Sequence, residues 1–506
     1  MNKPLQQRPS LVINAVSNWA ALGVNIVVGF LLTPFIISHL GKTGYGIWVL
    51  IGSFIGYYGL LNLGVSSAIT RYVARYAAQG DEKALNETAS TAMAMFSCTG
   101  MLAILASFIL AMPLARFFNV SPEHFDDFKH VIWILGLGTG LSFPGGVFGA
   151  ITTAHERYVA VNVVGIATTL TRAALIVWML LQGEGLLGVA YATLICTIIV
   201  VVANMLMCRH FVPQVRITFG AANWRVLRML VVYGGVTTVI VIADLLRFNL
   251  DSFVIGKWVG IAEVGVYGIA VVLIRYMLRL VVAGMSVLTP RFAALDGAKK
   301  NEKLRSLFLR SLSISALLGF GAAMLAIIFG GRFIVFWVGE EFTGAIPVLW
   351  ILAIPYAFAL SQNPGISVMY ALNKHKFYAI ATLIEGLANL ILSIILVRQY
   401  GILGVALGTA IPMLIVKICV QPIYVSRIIG ITIAHYSKPI IIPAITVGAI
   451  IGLARGSGIM IFLDKFSLVE FVICGIVTGL VFVGIVLVAS RQLGLGLIVG
   501  RSGQPC

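Results

Sequence analysis

The chain has 506 residues, of which 60% are hydrophobic and 10% charged, with a formal net charge of +17. Soluble globular chains carry about 25% charged residues, so water is excluded as the solvent for most of this one. Nor does the positive surplus indicate nucleic acid, because a nucleic-acid reader gathers its basic residues into one patch or fold, and here they are spread over the connections between apolar stretches.

A hydrocarbon core about 30 Å thick takes roughly 20 apolar residues per helix, and a helix satisfies its own backbone hydrogen bonds in lipid. On that criterion the sequence predicts fourteen spans, at 11–39, 45–69, 88–115, 130–153, 159–181, 186–208, 228–250, 264–288, 309–331, 344–371, 377–397, 402–426, 437–455 and 468–490. The expected fold is an all-α polytopic membrane protein of about 14 transmembrane helices. The first span is too long for the core of a signal peptide and reads as a retained helix.

In chain order, the first helix carries Asn14, Asn18 and Asn25. At about 100° per residue these fall on one polar stripe. Gly41-Lys42-Thr43 resembles the end of a phosphate loop, but the required earlier glycine is Ile36, so it reads as a turn. RYVARYAAQGDEKALNE and the matching segment after Thr289 have polar faces suited to short interfacial helices. Arg172 lies within the fifth span. The seventh carries Tyr233, Thr237, Asp244, Arg247 and Asp251 on one face, with Arg247 a turn from each Asp. Arg275 and Arg279 follow in the eighth, Glu385 in the eleventh and Lys417 in the twelfth.

A charged side chain at mid-membrane costs at least about 2.5 kcal/mol. These residues are therefore the candidates for a hydrated cavity, against the plainer alternatives of interhelical hydrogen bonding, packing ion pairs and snorkelling of Arg279. Most of the buried charges are basic, which suits phosphate or acidic sugar, since a guanidinium fork matches phosphate oxygens. Asp244 and Glu385 are the candidates for binding a coupling ion. Six cysteines (Cys98, Cys196, Cys208, Cys419, Cys474 and Cys506) show neither CxxC nor metal-type spacing, and no cofactor is indicated.

Sliding the sequence along itself by 216 to 220 residues reveals an internal repeat. Gly41 and Gly46 meet Gly260 and Gly265, Trp133-Ile134-Leu135 returns as Trp350-Ile351-Leu352, Pro144-Gly145 as Pro364-Gly365, and His155 with Tyr158 as His375 with Tyr378. LLGVAYAT from Leu186 becomes ILGVALGT from Ile402. An offset of 219 lays Asn14, Asn18 and Asn25 over Tyr233, Thr237 and Asp244. The expected lobes are 1–214 and 215–431, each of six helices, followed by two additional helices and a tail at 432–506. Six is an even number, so the copies enter the membrane in the same direction and create a central interface, where transporters place their substrate. With the N-terminus inside, 22 of the 35 basic residues lie on the inner side, 8 on the outer side and 5 within spans. The positive-inside bias thus places both termini in the cytoplasm, with the clusters Arg209–Arg228 and Arg291–Arg310 facing anionic lipid.

The stretch PFIISHLGKTGYGIWVLIGSFIGYYGLLNLGVSSAITRYVARYAAQGD, from Pro34 to Asp81, resembles the opening of bacterial polysaccharide (O-antigen type) flippases of the multidrug, oligosaccharidyl-lipid and polysaccharide exporter superfamily. The resemblance implies a transporter, not an enzyme. Its cargo would be a polyprenyl-diphosphate-linked oligosaccharide, moved from the inner to the outer leaflet of the cytoplasmic membrane by alternating opening of two lobes around a cationic cavity. Polysaccharide polymerase and glycosyltransferase partners are implied with it. Arg172, Arg247, Arg275 and Lys417 are the cations here positioned to serve, although no strict motif assigns them singly. A cation-coupled drug exporter of the same superfamily is the first alternative. A membrane polymerase or ligase acting on lipid-linked sugars is the second, and the short outer connections leave it little room for positioned acid and base groups.

Overall fold

The computed structural model describes residues 11–286, 288–457 and 468–492, and all regular structure among them is helical. The fold is all-α and multi-pass. Among the described residues, ten helical segments are long and apolar enough to cross a membrane, with a shorter apolar helix at Ile473–Val488.

Two long helices each contain a break where a turn is expected. Helix α1 (Leu11–Gly56) has 46 residues, about 69 Å at 1.5 Å per residue and more than twice the hydrocarbon thickness. Its path bends at Gly41, whose φ of 67° and ψ of 179° suit a residue without Cβ. Gly41 lies between the first two expected spans. The same device recurs late in the chain: α14 (His375–Ile415) bends at Gly401, with φ 54° and ψ −134°, between the eleventh and twelfth expected spans.

A 3-10 turn at Tyr57–Asn62 and left-handed Leu63 and Gly64 redirect the chain into α2 (Val65–Gln79). Gly80 in the left-handed conformation ends α2, and the Asp81 carboxylate accepts from the Ala84 amide to start α3 (Glu82–Phe117). There follow α4 (Pro122–Ala154), α5 (Tyr158–Leu181) and α6 (Gly185–Phe211). The seventh expected span is α7 (Trp224–Phe248), which ends at Asn249, and a further helix, α8 (Leu250–Trp258), forms in the connection that follows. Asp251 therefore sits on a different helix from Tyr233.

Beyond them lie α9 (Ile261–Ser286), α10 (Leu288–Gly297), α11 (Asn301–Val338), α12 (Ala345–Ser361) and α13 (Asn363–Ala371). Helix α14 continues through a π-helical turn at Val416–Val420 into α15 (Gln421–Ile429), followed by α16 (Ile433–Gly456) and α17 (Leu468–Gln492).

Two compact units result. One holds the described residues up to Leu245 with Gly260–Gly265, and the other holds Leu246–Val259 with the described residues from Val266 onward. In the first, α3 packs on α4, α4 on α6, and α1 on α5. A core of Val65, Ile69, Phe96, Val147 and Leu230 is buried beneath α2. The same unit contains an ion pair of Lys42 with Glu263 at 2.7 Å. Beside it Gly46 approaches the chain so closely that a Cβ there would lie 2.0 Å from the Ile261 carbonyl oxygen. In the second unit α11 packs on α12 and α16, and α8 on α14.

Candidate functional site

In the first unit, the polar stripe of α1 is answered by α5. The Asn162 amide donates to Ser17 Oγ at 2.9 Å and to Asn18 Oδ1 at 2.6 Å. One heptad on, Thr169 Oγ1 lies 3.2 Å from Asn25 Oδ1. Asn14 is buried, and its Oδ1 has no hydrogen-bond partner among the described residues. Interhelical hydrogen bonding therefore accounts for Asn18 and Asn25. Arg172 lies one turn beyond Thr169, exposed and without an acidic partner among the described residues. A lone guanidinium there is costly against lipid and comfortable against water.

A cavity of about 520 Å³ opens in the same unit, lined by Asn62 at the end of the 3-10 turn, by Ser66 and Ser67 from the start of α2 and by Thr139 and Ser142 from the middle of α4. Glycines 59, 64 and 146 and the ring of Phe96 complete much of the wall. Local bonds hold the lining: Asn62 donates to Ser66 Oγ at 2.9 Å and accepts from the Ser66 amide at 3.2 Å. The hydroxyls of Ser67 and Ser142 donate to the carbonyls of Gly64 and Thr139, each at 2.7 Å. Their oxygens remain able to accept. The wall is uncharged, with five small polar side chains set among glycines and the apolar Phe96, Phe143 and Val241, a mixture that can meet both the hydroxyls and the apolar faces of a sugar. None of these residues stood out in the sequence; the signal was small polar residues interleaved with glycine over Gly59–Ser67 and Gly138–Gly146.

A second cavity of about 450 Å³ is formed by Tyr72 of α2 with Arg225, Arg228, Met229, Val232 and Tyr233 of α7. It contains the expected site residue Tyr233. The side chains of Thr237, Asp244 and Arg247, expected on the same stripe, lie outside the described residues.

The second unit holds its polar groups differently. Asp251 is 5% exposed, and its Oδ2 accepts from Tyr267 Oη at 2.5 Å and from Thr409 Oγ1 at 3.0 Å. Asn389 joins the cluster through Thr409 at 3.3 Å and Ser393 at 2.8 Å. Arg275 reaches Asn249 Oδ1 at 3.3 Å.

One turn before Asn389 on α14, Glu385 is 2% exposed and stands 3.9 Å from the ammonium of Lys417, itself 1% exposed. Lys417 donates to Gln421 Oε1 at 3.0 Å and stands 5.4 Å from the Tyr378 ring centre. Its backbone carbonyl accepts from Gln362, which also accepts from Tyr436 at 3.1 Å. Lys417 lies on the π-helical turn, whose irregular backbone brings its carbonyl to the Gln362 amide. The pair expected on separate spans is thus in contact, inside a closed network. Among the described residues no group of three or more His, Cys, Asp and Glu side chains could hold a metal ion.

A family model described as polysaccharide biosynthesis protein matches residues 40–347. A Shigella flexneri protein named "Putative O-antigen transporter" is 21% identical over 418 residues, which cover 82% of this chain and 98% of that one. Among solved structures, an inward-facing multidrug resistance MATE family transporter of the MOP superfamily aligns with a TM-score of 0.67 at 16% identity, covering 84% of this chain and 99% of its own. The lipid II flippase MurJ in an inward closed conformation aligns with a TM-score of 0.67 at 15% identity, over 95% of this chain and 99% of its own. At these identities the two structural likenesses concern the fold.

Proposed function

We propose, for a chain that belongs to the polysaccharide biosynthesis protein family, that it is a flippase carrying a polyprenyl-diphosphate-linked oligosaccharide from the inner to the outer leaflet of the cytoplasmic membrane. The name of the Shigella flexneri relative, an O-antigen transporter, and that of MurJ, a lipid II flippase, point to this class of cargo. The observation that carries the reading is an uncharged cavity that presents the polar side chains of Asn62, Ser66, Ser67, Thr139 and Ser142 within an apolar helical bundle. A sugar headgroup cannot cross about 30 Å of hydrocarbon without such a path.

In this reading Arg172 and Arg275, both exposed on spanning helices, supply positive charge for the diphosphate. Glu385 is the carboxylate retained as an ion-coupling residue. The two six-helix lobes at 1–214 and 215–431 alternate in opening, and the helices after 432 flank the lipid tail. Both termini lie in the cytoplasm, where polymerase and glycosyltransferase partners would meet the protein.

The test is the leaflet distribution of lipid-linked oligosaccharide in a deletion strain complemented with wild type or with Arg172→Ala. Inner-leaflet accumulation should be relieved by wild type. Export through Arg172→Ala should fall about tenfold or more, the loss expected for a charge-assisted contact worth about 1.5–3 kcal/mol. Normal outer-leaflet delivery in the deletion strain would remove the flippase reading and leave drug or ion export.

A further inference from the structure

We infer that the arginine-and-tyrosine cavity between α2 and α7 is a binding site for a phosphate group carried on a lipid. The site is assembled from two short sequences. Helix α2 contributes Tyr72 to the lining and the first turns of α7 contribute Arg225, Arg228, Met229, Val232 and Tyr233; Arg71 of α2 adjoins the cavity through the Tyr233 ring. Neither VSSAITRYVARYAAQ nor the α7 sequence from Trp224 to Ile242 contains an acidic residue.

Aromatic packing holds the site open. The Arg71 guanidinium lies 4.8 Å from the Tyr233 ring centre, and Tyr233 meets Tyr72 edge-on at 5.8 Å. Tyr72 stacks in turn on Tyr76 at 6.3 Å. A ring face attracts a guanidinium without neutralising it, so Arg71 keeps its charge. The described residues provide none of Arg71, Arg225 and Arg228 with a carboxylate within ion-pair distance. Two cations, Arg225 and Arg228, thus line one cavity of about 450 Å³, with Arg71 beside it on the ring of the lining residue Tyr233; there is room for a phosphate or diphosphate with its first waters. Guanidinium groups match the oxygen geometry of such groups.

The surroundings say why the phosphate is lipid-borne. Trp224 and Val232, 76% and 69% exposed, flank the arginines on α7. An apolar surface beside a cationic mouth suits a ligand with a charged head and a hydrocarbon tail, and tryptophan favours the bilayer interface. α2 is itself too polar to span. The inference does not depend on what the protein carries across the membrane, since an ordinary anionic phospholipid and a diphosphate-bearing carrier present the same chemistry here.

The experiment uses the purified full-length protein in nanodiscs of phosphatidylcholine containing either phosphatidylglycerol or farnesyl diphosphate. Retention of each anionic lipid is read by native mass spectrometry. The triple variant Arg71→Gln, Arg225→Gln, Arg228→Gln should retain about tenfold less or lower. A charge-matched control in the other basic connection, Lys299→Gln, Lys300→Gln, Lys303→Gln, should lose distinctly less than the arginine variant. Arg71→Gln alone, checked for monodisperse elution, gives an intermediate loss and keeps the test valid if the triple variant misfolds. Preference for one lipid over the other identifies the source. Equal loss in the lysine control, no loss in the arginine variants, or displacement by inorganic phosphate as potent as by farnesyl diphosphate would each overturn the inference.

Discussion

The two units treat polar groups inside an apolar bundle in opposite ways. The first leaves its hydroxyls and amides on the walls of a cavity and its Arg172 exposed. The second, although Arg275 is exposed, buries three of its charges: Asp251 is sealed by Tyr267 and Thr409, and Lys417 by Glu385, Gln421 and Tyr378. The repeat makes the contrast sharper. Shifting by 220 residues lays Asn162 and Thr169 of α5 over Thr382 and Asn389 of α14. On α5 that face bonds the neutral stripe of α1, whereas on α14 Asn389 stands in a cluster built around a carboxylate. One helix face has thus been put to two electrostatic uses. Neutral polar contacts can be broken and remade at small cost, while a desolvated charge holds its partners firmly.

If that contrast is right, the largest effect comes from breaking the sealed ion pair. Lys417→Ala should destabilise the protein by about 3–5 kcal/mol, because it leaves Glu385 buried without its cation. The double variant Lys417→Met, Glu385→Gln should recover much of that loss in thermal unfolding. No recovery would show that Lys417 acts through packing and not through charge.

Next in size is Thr409→Val, which removes one hydrogen bond to the Asp251 carboxylate and should cost about 1.5–3 kcal/mol by the same measurement. In the first unit Gly46→Val forces a Cβ against the Ile261 carbonyl and should cost about 1–3 kcal/mol as overpacking. Gly52→Ala, with open space around it, is its silent control. The smallest effect is Thr169→Val, about 0.6 kcal/mol for one interhelical hydrogen bond in a membrane protein. A loss at Thr169 as large as at Thr409 would erase the distinction between the units.

Much of the fold was legible from composition and periodicity. Gly41 and Gly401 break α1 and α14 at positions between expected spans, because a long apolar run must turn where a glycine and a polar residue allow it. Several expected spans are interrupted: 45–69 by the 3-10 turn before α2, 344–371 between α12 and α13, and 402–426 by the π-helical turn, while a break at Asn249 ends α7 and places Asp251 on a different helix from Tyr233. Apolar periodicity does not mark such breaks, because the residues on either side of each keep helical spacing. The site was less legible. Buried charges announce themselves by their cost in lipid, and Asp251, Glu385 and Lys417 were found that way. Serine, threonine and asparagine side chains carry a much smaller penalty, so the residues lining the neutral cavity gave no comparable signal.

The sequence by itself determined that this chain is a helical membrane protein, where its long helices turn, and that polar residues cluster on particular faces, because each of these follows from local hydrophobicity, backbone freedom and helical spacing. Only the tertiary structure decided which polar residues are sealed and which remain available. That outcome depends on distant partners, such as Gln362 and Tyr436 around Lys417 or Asn162 beside Asn18, and spacing within one helix carries no information about what packs against it.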